Sequence, residues 1–338
     1  SIQFYTFPFV LIRVPHNNTP PTGCPVKGVH ITPEGLRFLS QRGRGSIAER
    51  NAKLILMVGV LGVSASAILV RFSQAPSGVT AAYRLGWTVL LLLPVVLLRC
   101  RAELRRVTAR DLVLCGASGV LLALHFLTWF ESLKRTSVAS STVLVSTEVI
   151  FTALGFALFL HGKIPRLGVW AILLAFGGSA LLALSGGGGA GELSGNLLAL
   201  AAASAAAVYT LIGRIQRGHL STTVYTFLTY LACFLTLLLG TAAAGTPLTG
   251  YGGREWLIGL ALAVLCTLLG HSLFSWCLKY LSPSYVSAAK LCEPVFSSLA
   301  AIPLFGEVPG PLQLAGGAAV LGAVLLYTWA EREKTPAG

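Results

Sequence analysis

Apolar runs close to the roughly 20 residues that cross a bilayer as a helix recur along most of this chain. Short polar or basic breaks separate them and leave no room for a soluble domain. In lipid a backbone must satisfy its own hydrogen bonds, so runs of this length are helices. Ten are read, at 54–72, 79–98, 111–130, 137–160, 167–184, 195–213, 222–243, 256–278, 284–305 and 312–330. The 338 residues are 54% hydrophobic and only 11% charged, with a mean hydropathy of +0.76. That composition excludes an ordinary water-soluble fold. The expected fold class is an all-α integral membrane protein with ten transmembrane helices.

A formal charge of +13 would suggest nucleic acid for a soluble chain, but membrane topology accounts for it. With both termini in the cytoplasm, seventeen of the twenty-five Lys and Arg fall in cytoplasmic segments, and only Arg71, Lys134, Arg135 and Arg254 face outward. That asymmetry sets the orientation of a multi-pass protein of the cell membrane, and no nucleic-acid partner is needed. The seven cysteines are scattered, without a CxxC pair or a His/Cys cluster. They read as small buried apolar residues rather than metal ligands. Residues 1–50, with six prolines between Pro8 and Pro33, read as a flexible cytoplasmic tail. "IQFYTFPFVLI" is not read as a signal peptide, because no basic residue precedes it and Pro8 interrupts it. The missing initiator Met suggests a processed, trimmed or wrongly started sequence.

The chain repeats itself. "HFLTWFESLKRTSVASSTVLVSTEVIFTALGFALFLHGKIP", from His125, and "HSLFSWCLKYLSPSYVSAAKLCEPVFSSLAAIPLFGEVP", from His271, share one order of features. Each runs from histidine through Trp and Leu-Lys to a Ser-rich break, a Glu-containing apolar helix and a Gly-Pro turn. A common offset of 145 pairs Lys134 with Lys279, Ser137 with Ser282, Glu148 with Glu293 and Phe151 with Phe296. A Gly-Gly helix follows each copy. The domains expected are a first five-helix repeat at 54–184, a Gly-rich linker at 185–194, a second repeat at 195–330 and a C-terminal cytoplasmic tail at 331–338. Five is odd, so the second copy enters the membrane from the opposite side: an inverted-topology repeat, as in many secondary transporters.

On these residues the chain resembles the drug/metabolite transporter superfamily, in particular its EamA-type members with two repeats and ten helices. The stretches that carry the resemblance are "AAYRLGWTVLLLLP", "GVLLALHFLTWFESLKRTSVASS", "LSGNLLALAAASAAAVYTLIGR" and "LGHSLFSWCLKYLSPSYVSAAKLCEPVFSSLAAIPLFGEVP". The resemblance implies transport of small metabolites, often the export of amino acids and related compounds. The first copy departs from the family pattern: it has "STEVIF" and "LHGKIP", whereas Glu-Pro and Gly-Glu survive only in the second. Substrate contacts are therefore not expected to be symmetric.

An ionised side chain at the centre of a bilayer costs about 2.5–3.5 kcal/mol on insertion scales, so it faces the protein interior or water. Arg84, Glu148, Lys290 and Glu293 lie within the spans. Lys290 and Glu293, three apart, neighbour one another on a helical face. Two readings stand side by side. In one, the four form buried ion pairs that fix helix packing. In the other, Arg84 or Lys290 meets a substrate carboxylate or phosphate, while Glu148 and Glu293 hold an ammonium or change protonation as access alternates. A zwitterionic, amino-acid-like substrate satisfies both signs. In members of the wider superfamily that carry phosphorylated sugars, basic residues of helix 9 bind the anion, which favours Lys290.

Aromatic and imidazole candidates for the pocket wall are Tyr83, Trp87, His125, Trp129, Tyr209, His271 and Trp276, each of which also suits packing or the membrane interface. Pro294 removes a backbone hydrogen bond beside Glu293 and marks a bend. The leading expectation is an exporter of small polar metabolites working by alternating access around a midplane cavity between the repeats. The alternatives are a non-transporting scaffold or pseudo-transporter, and a membrane enzyme acting on lipids. With Asp111 its only Asp and no DxxD-like cluster, the chain is not expected to be an enzyme or to hold a metal or cofactor. The partners expected are a small-molecule substrate and membrane lipid, with a proton as candidate coupling ion, the chain acting as a monomer or homodimer.

Overall fold

A computed structural model of the protein describes residues 33–159, 164–185, 190–216, 220–270, 273, 277 and 289–332. Every regular element among them is helical: α1 (Pro33–Phe72), α2 (Ser77–Arg99), α3 (Arg101–Leu104), α4 (Ala109–Arg135), α5 (Val138–Val145), α6 (Glu148–Phe159), α7 (Arg166–Ser185), α8 (Ala190–Gln216), α9 (Thr222–Ala243), α10 (Gly253–Ala261), α11 (Cys292–Phe305) and α12 (Pro311–Arg332). A π-helical segment, Leu262–Gly270, continues α10.

Eight described stretches are long and apolar enough to cross a membrane: Asn51–Phe72, Ser77–Arg99, Ala109–Arg135, Val138–Gly155, Gly191–Gln216, Thr222–Ala243, Gly253–Gly270 and Pro311–Ala330. Between 33% and 50% of each apolar window is buried inside the protein, so half or more of each is not fully enclosed. Side chains such as Leu98, Leu158, Leu239 and Trp170 are exposed on the protein surface, as lipid rather than water would require. The protein is a multi-pass membrane protein. Two shorter apolar helices, Arg166–Leu182 and Cys292–Phe305, fall in the other two stretches read from sequence. The stretch expected as a flexible tail is helical from Pro33 onward, and α8 opens at Ala190, inside the expected linker. Residues 1–32 and 333–338 lie outside the described residues.

Local chemistry sets the helix ends. Thr108 and Asp111 form a reciprocal capping box on α4, while Ser137 and Ser221 accept from Ser140 N and Val224 N at the starts of α5 and α9. Each satisfies backbone N–H groups that would otherwise lack partners. Gly306, with φ of 68°, ends α11 in the left-handed conformation that glycine adopts without strain.

Packing follows small residues. α4 lies against α8 and α9, α1 against the π-helical segment and α11, α2 against α9 and α10, α5 against α8 and α11, and α7 against α12. A Cβ on Gly119 of α4 would stand 2.5 Å from Ala232 Cβ and 2.7 Å from Thr229 O of α9, so only glycine allows that approach. Gly178 of α7 and Gly316 of α12 face one another in the same way, each Cβ position lying 2.9 Å from the other's carbonyl oxygen.

Polar contacts gather at the two ends of the bundle. At one end Arg71 pairs with Glu307 at 2.6 Å, Thr136 Oγ1 donates to Asn196 Oδ1 at 2.8 Å, and Lys134 Nζ donates to Ala75 O at 2.5 Å. At this end Glu255, buried at the start of α10, accepts from Ser73 Oγ at 2.5 Å and Gln74 N at 3.1 Å. At the opposite end Asp111, buried in the first turn of α4, accepts from Gln216 Nε2 at 3.2 Å, and Glu103 accepts from Ser221 N at 2.6 Å.

Candidate functional site

Arg84 sits in the middle of α2 and is only 3% exposed. Its Nε donates to Thr267 Oγ1 at 2.9 Å and its Nη1 to Ser66 Oγ at 3.0 Å. Its guanidinium carbon lies 4.5 Å from the centroid of the Phe126 ring. Among the described residues it forms no ion pair. Neutral hydroxyls and a ring face orient a guanidinium without cancelling its charge. Thr267 reaches this position from the π-helical segment, where its hydroxyl also donates to Leu262 O at 3.2 Å, five residues back. Widened turns of this kind recur at functional sites.

Charged and polar groups from five elements face the same region. Glu293 and His125 lie within electrostatic reach of Arg84, as do Tyr230, Cys233 and Cys266; Glu148 lies within reach of both His125 and Glu293. His125 Nδ1 lies 3.0 Å from Ala202 O. A carbonyl only accepts, so Nδ1 carries the proton and Nε2 keeps a lone pair in the neutral ring. Trp129 stacks near His125, with centroids 5.8 Å apart. Its indole Nε1 is buried and has no hydrogen-bond partner among the described residues.

Glu148 and Glu293 both stand in the first turn of a helix that resumes after an interruption. α5 ends at Val145 and α6 begins at Glu148. Ser146 Oγ donates to Thr142 O at 2.9 Å and Thr147 Oγ1 to Leu144 O at 2.6 Å, hydroxyl contacts that compete for helix carbonyls and bend the chain. Leu291 interrupts the helical run between Lys290 and Cys292, and Pro294, third in α11, has no N–H to send back across that gap. A carboxylate in a first turn is favoured by the helix dipole. Glu148 Oε1 also accepts from Thr210 Oγ1 at 2.7 Å.

The other expected wall residues divide. Tyr209, beside Thr210, is half-buried against the core around α4. Lys290 is exposed and Glu293 half-buried. Tyr83 is set apart: it stacks on Trp256 at 4.1 Å and its hydroxyl donates to Leu248 O. Trp87 joins that group, its Nε1 donating to Trp256 O at 3.2 Å. One residue of separation along α2 turns Tyr83 about 100° away from Arg84. His271 and Trp276 lie outside the described residues. Ser66, Thr267, Phe126, Thr210 and Tyr230 are additions from the structure; being neutral, they carried no signal against an apolar background. A small recess lined by Thr147, Ile150, Phe151, Phe176, Ser179 and Leu200 opens on the flank of α6. It is apolar and does not include Arg84.

The model of the EamA-like transporter family matches twice, over residues 51–184 and 193–329. The pseudopaline exporter CntI of Pseudomonas aeruginosa is 24% identical over 207 residues, covering 61% of this chain and 72% of that protein. A probable terminal-alkyne amino-acid exporter of Streptantibioticus cattleyicolor is 28% identical over 233 residues, 66% of this chain and 75% of the relative. A crystal structure that is 19% identical superposes with a TM-score of 0.55, covering 85% of this chain and 99% of that one, a likeness of fold alone.

Proposed function

This chain belongs to the EamA-like transporter family, and from that premise we propose that it exports a small zwitterionic metabolite of amino-acid type by alternating access. The family and the named relatives are transporters and not enzymes. One relative is named for pseudopaline and another for a terminal-alkyne amino acid, and both names contain export.

The architecture proposed is ten membrane helices in two inverted repeats of five. The helix contacts support it, because they come in related sets. Between the halves, α4 on α8 corresponds to the π-helical segment on α1, and α5 and α6 on α8 correspond to α11 on α1. α2 with α9, α7 with α12 and α5 with α11 each join equivalent helices of the two halves. The end of α1 shares one end of the bundle with the start of α8, the relation that an inverted second copy requires. Under this reading both termini are cytoplasmic in the cell membrane, and the Arg71 end faces out.

The observation that carries the substrate reading is Arg84, a membrane-buried guanidinium held by two hydroxyls and a ring with no described carboxylate paired to it. A charge so situated costs several kcal/mol unless something compensates it, and a substrate carboxylate does so through paired N–H donors. Glu148 and Glu293, brought close by the two interrupted helices, accept from the ammonium group, and the unpartnered Trp129 Nε1–H is a further donor for the substrate carboxylate. Alternate exposure of the two carboxylates gives a proton a route to couple to transport.

Counterflow in proteoliposomes tests this directly. A panel of amino acids, amines, nucleosides and sugar phosphates is offered at two pH values. Exchange confined to the amino acids, with a rate that changes with pH, is expected. Exchange of only sugar phosphates would replace the zwitterion with an anion, and exchange of none would leave a scaffold as the better reading.

A further inference from the structure

Glu307, in the link between α11 and α12, spends both carboxylate oxygens on joining helices of the other half. Oε1 accepts from Arg71 Nη2 at 2.6 Å, and Oε2 accepts from the backbone N of Val138, the first residue of α5, at 2.8 Å. Arg71 in turn donates through Nη1 to Leu133 O, and to Thr136 O at 3.2 Å, at the end of α4. Its guanidinium also lies 5.8 Å from the Phe305 ring centroid, and Phe305 packs on Phe72 at 5.0 Å. The Arg71–Glu307 pair therefore ties the ends of α1 and α4, the start of α5 and the α11–α12 link. The two side chains of the pair are 27% and 19% exposed, partly withdrawn from the screening that weakens surface pairs.

The repeat has no equivalent of this contact by composition. Where the second copy reads Gly306-Glu307, the first reads Gly162-Lys163, a cation in place of the acid. Residues 162 and 163 lie outside the described residues; a lysine at 163 cannot accept as the carboxylate of Glu307 does. The end with Arg71 can be locked by charge and a capped helix; the opposite end lacks that acid.

We propose that Glu307 is the gate residue of the Arg71 end, and that releasing Arg71 and the Val138 N–H is the step that opens the Arg84 site to that side. This rests on the alternating-access reading above. It sets the resting state: closed at the Arg71 end, with the site facing the opposite side until substrate and the latch exchange energies. A ligand shifts such an equilibrium only by what separates its affinities for the two states, so weakening the latch moves the resting population before any substrate is added.

The test uses the native thiols beside Arg84. Cys266 and Cys233 are both buried and lie within electrostatic reach of the guanidinium. A membrane-impermeant maleimide is added to one side or the other of oriented vesicles holding wild-type protein or Glu307→Gln, and alkylation is read by mass spectrometry. Gln keeps an oxygen for the Val138 N–H but loses the charge against Arg71. Loss of a charged hydrogen bond predicts labelling from the Arg71 side faster by about tenfold, with slower labelling from the opposite side. That reciprocal fall separates a gate from a frayed end, which would label faster without slowing elsewhere. Unchanged labelling from the Arg71 side overturns the gate. A rise without the fall marks a frayed end and also overturns the gate, while counterflow by the wild-type protein in the same vesicles decides separately whether the transport reading stands.

Discussion

Glu148 and Glu293 occupy the same station, the first turn of a helix that resumes after an interruption, although the two interruptions are built differently. In the first half the hydroxyls of Ser146 and Thr147 take the carbonyls of Thr142 and Leu144. In the second, Pro294 withholds an N–H just after Leu291. The chemistry has diverged while the position of the carboxylate has not, which is what a binding role at the meeting of two repeats requires.

Restoring the missing donor is one way to ask whether the second interruption matters. Pro294→Ala supplies an N–H that can reach the carbonyl of Lys290 and close the helix across Leu291. The expected outcome is a lower maximal exchange rate with KM nearly unchanged, measured by counterflow. A raised KM with the rate intact would mean that the interruption shapes the site rather than its motion.

Arg84 makes a sharper prediction. Removing a charged donor from a carboxylate costs about 1.5–3 kcal/mol, so Arg84→Gln is expected to lower exchange on the order of 10- to 100-fold. Arg84→Lys keeps the charge but not the fork and is expected to recover only part of that loss. Size-exclusion profiles of both variants should match the wild type, since Thr267 and Ser66 lose only one hydrogen bond each.

Two glycines one turn apart on α4 give a matched test of packing. A Cβ at Gly119 meets the α9 backbone, whereas one at Gly116 meets nothing within 4 Å. Gly119→Ala should cost about 1–3 kcal/mol, read as a lower thermal midpoint in detergent. Gly116→Ala should be neutral or gain up to about 1 kcal/mol from helix propensity.

The buried acids at the two ends are expected to act on stability. Glu255→Ala leaves the Ser73 hydroxyl and the Gln74 N–H without that acceptor, a loss of about 1–3 kcal/mol. Asp111→Ala removes the acceptor of Gln216 and the α4 capping box and should cost a similar amount. Thermal unfolding checks both, and KM for exchange should stay at the wild-type value because neither carboxylate belongs to the Arg84 cluster.

The membrane-crossing character of the chain, its doubling and the isolated charges at Arg84, Glu148 and Glu293 are legible because each stands out against apolar sequence. What surrounds Arg84 is not. Ser66 and Thr267 are separated from it by 18 and 183 residues, and a hydroxyl in a membrane helix is too common to single out. The interruption near Pro294 carried a proline as its sign; the one at Ser146–Thr147 carried none. The π-helical widening at Leu262–Gly270 has no composition of its own. Tyr83 reads from sequence as an aromatic candidate for the pocket wall, yet helical geometry turns it away from its neighbour Arg84, and it packs on Trp256. The Arg71–Glu307 contact spans 236 residues and depends on the fold of both halves.

The claim that Arg84 and the two glutamates grip opposite charges of one substrate is tested by counterflow with three forms of the same compound. These are the exchanged amino acid, the amine left after decarboxylation and the acid left after deamination. The zwitterion should exchange, each singly charged form should exchange on the order of tenfold more slowly or worse, and Arg84→Gln should erase the difference between amino acid and amine. Equal exchange of the amine and the amino acid by the wild-type protein would contradict it.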